Sequence, residues 1–148
     1  MAHRPMGVWL LILSLALLTL GGLAGAYGFL SDPSGVGMGM DGVLHLLPVE
    51  SYVVPGLFLL VAFTLVPIVL IYALLARPAW PLAERWLPRG AYWGWSASLA
   101  LAIVLAGWLL LQASMIGFDW PVQWFTAGLN AAILAFTLTP SVRRAYVI

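Results

Sequence analysis

Four long apolar stretches, at about positions 7–30, 52–76, 91–112 and 121–139, are separated and flanked by short segments that hold every charged residue of the chain. The hydrocarbon core of a bilayer is crossed by about 20 predominantly apolar residues in a helix, so each stretch predicts one transmembrane span. No Asp, Glu, Lys, Arg or His falls inside any of them. With so little chain left over, the pattern predicts an all-α, membrane-embedded four-helix bundle formed by a single domain, 1–148.

Local signals refine these spans. Gly21 and Gly25 in the first are four residues apart, so they share a helix face and let another backbone approach closely. Gly94, Ser98, Ala102 and Ala106 form a similar seam in the third, which predicts close pairing with the first or fourth span. Pro67 lies in mid-span and removes one intrahelical hydrogen bond, which predicts a kink around positions 63–67 with Thr64 rebonding a freed carbonyl. Ser51 before the second span and Asp119 before the fourth are in capping positions, each followed by a proline in the first turn. The 31–51 connection is the longest and is rich in glycine. Its Asp32-Pro33-Ser34-Gly35 has the composition of a turn, and Val43, Leu44, Leu46 and Leu47 suit a short interfacial helix ended by Pro48.

Charge orients the bundle. All the arginines (Arg4, Arg77, Arg85, Arg89, Arg143 and Arg144) fall in segments that four spans would place on one side, and the chain has no Lys. Asp32, Asp41, Glu50 and Asp119 fall on the other, and Glu84 alone breaks the pattern. Cationic side chains are retained in the cytoplasm during insertion, so both termini are expected inside (N-in/C-in), with the 31–51 loop outside. Tyr27, Phe29, Tyr52, Phe118, Trp120 and Trp124 near one set of boundaries, and Trp9, Tyr72, Trp80, Trp86, Tyr92, Trp93, Trp95 and Tyr146 near the other, form the two aromatic belts of the same topology. The basic N-terminus and Ala24-Gly25-Ala26 also fit a cleaved signal peptide, but the apolar stretch continues through Phe29 and Leu30 and is long enough to span.

Composition then excludes chemistry. The chain is 64% apolar, 7% charged and has no cysteine, which removes disulfide exchange and thiolate sites. The sparse basic residues do not suit nucleic acid. Spans without ionisable groups lack what proton-coupled pumps use, and the glutamate of the first helix of small multidrug transporters has no counterpart at 7–30. His3 and His45, both outside the spans, offer no haem ligand at membrane depth, and no cofactor is implied.

Polar groups that remain define the candidates. Gln123, Thr126, Asn130 and Thr137 form a stripe on one face of the fourth span, and Gln112 and Ser114 at the end of the third are placed to meet Gln123. Side-chain amides in hydrocarbon need partners, so the stripe is expected to fix helix register or, less simply, to line a ligand pocket. Met38, Met40 and His45 form a weak copper candidate, and Asp41 stands one helical turn before His45 as a polar pair at the outer surface. Candidate ligand-binding residues are thus Gln112, Gln123, Asn130, Thr126, His45 and Asp41; no catalytic residue is assigned.

Asp32-Pro33-Ser34-Gly35, the run Val54-Pro55-Gly56-Leu57-Phe58-Leu59-Leu60 and Ile116-Gly117-Phe118 together resemble a group of small bacterial four-span integral membrane proteins. The resemblance implies the four-span fold in a bacterial inner membrane and carries no activity or functional residue. The role the sequence favours is a non-enzymatic accessory or assembly subunit, or a lipid-contacting protein, whose partners are membrane lipids and other membrane helices. The competing role is a binder or carrier of a small hydrophobic molecule, with a cavity near Pro67, Asn130 and Gln112 between the second and fourth spans. A membrane enzyme acting at the outer loop comes third.

Overall fold

A computed structural model describes residues 3–147. Four helices are long and apolar enough to cross a membrane: α1 (Met6–Ser31), α2 (Val53–Ala76), α3 (Trp93–Ile116) and α4 (Pro121–Leu138). A short α5 (Pro140–Tyr146) follows. No strand forms among the described residues; Ala91 and Val147 make one isolated bridge. The helices form a ring in which α1 packs on α2 and α4, α4 packs on α3, and α3 closes against the second half of α2. The seam of α3 thus serves α4 and α2, with Gly94, Ser98 and Ala102 buried in it.

Apolar side chains lie on every face of these helices, but only one face of each turns inward. In α1 Val8, Leu11, Leu15, Leu18, Gly22 and Ala26 are buried at a spacing of three or four that defines one stripe, with Ser14 buried beside it. Ile103 and Leu110 of α3 remain 69% and 72% exposed, as side chains facing lipid would be. The close approach of α1 to α2 therefore uses Gly22 together with Gly25, where a Cβ would lie 2.9 Å from Leu59 Cδ1, and not the Gly21 expected from spacing. A Cβ at Gly22 would overlap the Phe63 carbonyl and lie 2.9 Å from Thr64 Oγ1, whereas one at Gly21 would meet nothing.

Phe63 is also the residue four before Pro67, so its carbonyl is the one that proline leaves without an N–H. The helix absorbs the loss with a π-helical turn at Val61–Leu65, in which Val66 N–H donates to Val61. The Thr64 hydroxyl donates to the Leu59 carbonyl at 3.2 Å, not to the Phe63 carbonyl that Pro67 frees.

At one end of the ring, side chains cap the C-terminus of α2. Its last carbonyls have no helical N–H partners. Arg4 donates to Leu75, the Tyr146 hydroxyl to Leu74 at 2.8 Å, and the Tyr92 hydroxyl to Ala73 and Pro78, each at 3.1 Å. Arg77, left-handed at φ 49°, ends the helix and sets its guanidinium 4.4 Å from the Tyr146 ring. Tyr92 and Tyr146 of the expected aromatic belt thus form an internal cap, while Trp9, Tyr72, Trp80 and Trp86 remain exposed. Both described chain ends and the segment between α2 and α3 meet here, so all the arginines share this end and Asp32, Asp41, Glu50 and Asp119 share the opposite one.

Candidate functional site

The acidic end is built around Tyr52. Asp32 closes the turn after α1: one carboxylate oxygen accepts from the Ser34 N–H and hydroxyl, the other from Gly37 N–H at 2.9 Å. The Ser34 hydroxyl, then the Gly37 and Ser34 amides, hold the Asp32 carboxyl below the usual carboxylate range against a small opposing effect of desolvation. Gly35 adopts φ 80°, where a side chain would be strained, and a Cβ there would also strike the Tyr52 ring. That ring stacks on Phe29 with centroids 4.4 Å apart, and its hydroxyl donates to the Met40 carbonyl at 2.6 Å. Tyr52 therefore ties the connection to the helices, its N–H also donating to the Pro33 carbonyl at 2.9 Å. Its apolar part, Asp41–Leu46, is a 3₁₀ helix that stops before Pro48.

Beneath this loop lies a cavity of about 410 Å³ between the first half of α2 and the last half of α3. The two helices meet closely only at the arginine end, where a Cβ on Gly94 would sit 3.1 Å from Ala73 Cβ. Toward the acidic end they diverge, and the gap is floored by Phe58 stacked on Trp108 with centroids 4.5 Å apart. Met40, Leu47, Pro48 and Val49 roof it, and Phe29 and Tyr52 form one wall. Gly107, where a Cβ would meet nothing, stands at the edge with Val54 and Leu111. Gln112 supplies the one side-chain amide of the lining.

The candidate residues separate in space. Gln112 lines the cavity, but Gln123 does not join it. Gln123 is buried and caps α4, accepting from Trp120 N–H at 3.2 Å and donating to the Gly117 carbonyl at 3.1 Å. It thereby takes the role expected of Asp119, which is exposed and makes no cap bond. Thr126 and Thr137 bond back to the carbonyls four residues earlier, Val122 and Ile133. The stripe is thus satisfied by its own helix and the turn before it, save Asn130, whose buried Oδ1 has no partner among the described residues. Pro67 and Asn130 do not line the cavity, which lies between the second and third spans and not the second and fourth.

Asp41 and His45 are both exposed. A 3₁₀ helix turns once every three residues, so two side chains four apart point in different directions. The Met38 thioether packs where a Cβ of Gly28 would otherwise lie, and Met40 lines the cavity. Among the described residues no three His, Asp or Glu side chains gather as metal ligands.

Phe58, Gly107 and Trp108 are site residues that the sequence reading passed over. Trp108 offered a signal: eight residues before the end of α3 it lies about 12 Å from the boundary, too deep for a belt indole. Comparison with known proteins finds no matching family model, no matching curated protein and no matching solved structure.

Proposed function

We propose that this multi-pass membrane protein lies in a bacterial inner membrane with its arginine end in the cytoplasm, and that it binds or carries a small hydrophobic molecule in the cavity between α2 and α3. The orientation is supported by the arginines, which follow the retention of cationic loops on the cytoplasmic side. The binding role is carried by one observation: a cavity of about 410 Å³, within the size range of small-molecule sites, lies under a loop fastened to the bundle through Tyr52. Purification in a mild detergent followed by native mass spectrometry tests it. Wild-type protein is expected to retain a small hydrophobic adduct that Gly107→Trp, which places an indole at the cavity edge, releases. Bare wild-type protein, or an adduct held equally by the variant, refutes the binding role.

The accessory-subunit reading is favoured by a separate observation, the open backbone at Gly21 of α1 and Gly128 of α4, where a Cβ would meet nothing. Small residues on an outer face let a partner helix approach closely. A stoichiometric partner polypeptide in the same spectra, lost on Gly128→Leu, would establish that role.

A further inference from the structure

We propose that the cavity takes an uncharged lipid with a carbonyl or hydroxyl function, admitted sideways from the hydrocarbon and hydrogen-bonded by Gln112. The inference rests on the binding role above and specifies its ligand. Three features of the site lead to it.

The first is the direction of access. Val54 and Leu111 at the edge are 63% and 47% exposed and belong to membrane-crossing helices, and Gly107 leaves the space between them open. On the polar side Leu47, Pro48 and Val49 cover the cavity. A molecule therefore reaches it from the lipid.

The second is charge. A carboxylate or phosphate brought into an apolar cavity needs a paired cation. The arginines lie beyond the far end of α3, whose 24 residues span about 36 Å. Around the loop stand Asp32, Asp41, Glu50 and Asp119, with His45 the single titratable base and exposed. This end repels an anion and offers it no partner.

The third is Gln112. It makes no side-chain hydrogen bond among the described residues, unlike Tyr52, whose hydroxyl is committed to Met40. The amide can donate to a carbonyl or accept from a hydroxyl, and it stands four residues inside the end of α3, about 6 Å below the boundary. A neutral oxygen function on a hydrophobic body meets this requirement; a plain hydrocarbon leaves the amide unsatisfied.

Two sources share that chemistry, a ring lipid such as an alkylquinone and a chain lipid such as a diacylglycerol, and binding separates them. Delipidated full-length protein in neutral detergent is titrated with decylbenzoquinone, dioleoylglycerol, oleate and dioleoylphosphatidylglycerol, with melting temperature and native mass as readouts. At least one neutral probe should bind, at least tenfold more tightly than either anionic probe. Gln112→Leu, which keeps the cavity apolar, should weaken that binding about fivefold, as loss of one hydrogen bond of about 1 kcal/mol does. Gly107→Trp, or Gly107→Leu should the larger side chain impair folding, should abolish it. Binding of the neutral probe unchanged by either Gly107 variant overturns the cavity reading itself. Sensitivity to Gly107 with oleate or phosphatidylglycerol bound as tightly as the neutral probes, or with no effect of Gln112→Leu, overturns the ligand class and leaves the cavity reading standing.

Discussion

Replacing Gly22 with alanine tests the packing that joins α1 to α2. The added methyl group would overlap the Phe63 carbonyl oxygen and sit 2.6 Å from its carbon and 2.9 Å from Thr64 Oγ1. Two of those atoms are backbone, in the π-helical turn that accommodates Pro67, so relief requires α1 to move away from α2. Such overpacking costs about 1–3 kcal/mol. Alanine also gains up to about 1 kcal/mol over glycine within a helix, an opposing effect that must be separated. Gly21→Ala supplies that gain alone, since its methyl group would meet nothing. The two variants should therefore differ by the clash, about 1–3 kcal/mol, with Gly22→Ala the weaker. Unfolding in mixed micelles of rising dodecyl sulfate fraction, followed by far-ultraviolet circular dichroism, measures the difference. Coincident transitions for the two variants would refute the assignment of Gly22 as the contact.

Other consequences are local. Gln123→Ala removes both cap bonds at the start of α4 and exposes no compensating group, so it should destabilise the bundle by about 1–3 kcal/mol in the same assay. Asn130→Leu removes a buried amide oxygen that has no partner, and should leave stability unchanged or raise it by up to about 2 kcal/mol; clear destabilisation would reveal a bonded partner for that amide. The Asp32 carboxyl is held below its ordinary value of 3.8, so its hold on the turn is fully present above that pH and is lost as pH falls through the lower folded-state value. The Gly37 amide resonance should report a midpoint below 3.8, and a midpoint at or above it would contradict the Asp32 bonds.

Sequence patterning located the four spans closely because length and apolarity are direct requirements of the bilayer. It placed the helix disturbance before Pro67, since a missing N–H is a covalent property of proline, but Thr64 bonds Leu59 and not the Phe63 carbonyl that Pro67 frees. Facing was less legible. α1 is apolar all round, so nothing in its order distinguishes Gly22, packed on Phe63, from Gly21, which faces outward. The α4 cap was assigned to Asp119 on preference, whereas Gln123 reaches back from the first turn to do the same work. α5 was passed over although Thr139-Pro140 marks its start and Arg143 and Arg144 suit its last turn. The cavity was expected from polar groups at Asn130 and Gln112 and lies where α2 and α3 diverge, a property of helix direction that no residue in the sequence encodes alone.

The proposed topology puts the two polar ends on opposite sides of the membrane, with the arginines inside. The chain has no cysteine, so single cysteines report position without background. Gly42→Cys on the acidic loop and Ala79→Cys in the arginine-end connection, both exposed, would be treated with a membrane-impermeant maleimide in intact spheroplasts and again after lysis. Gly42→Cys should be labelled in intact spheroplasts and Ala79→Cys only after lysis. Labelling of Ala79→Cys in intact spheroplasts, or of both positions from the same side, would contradict the proposed topology.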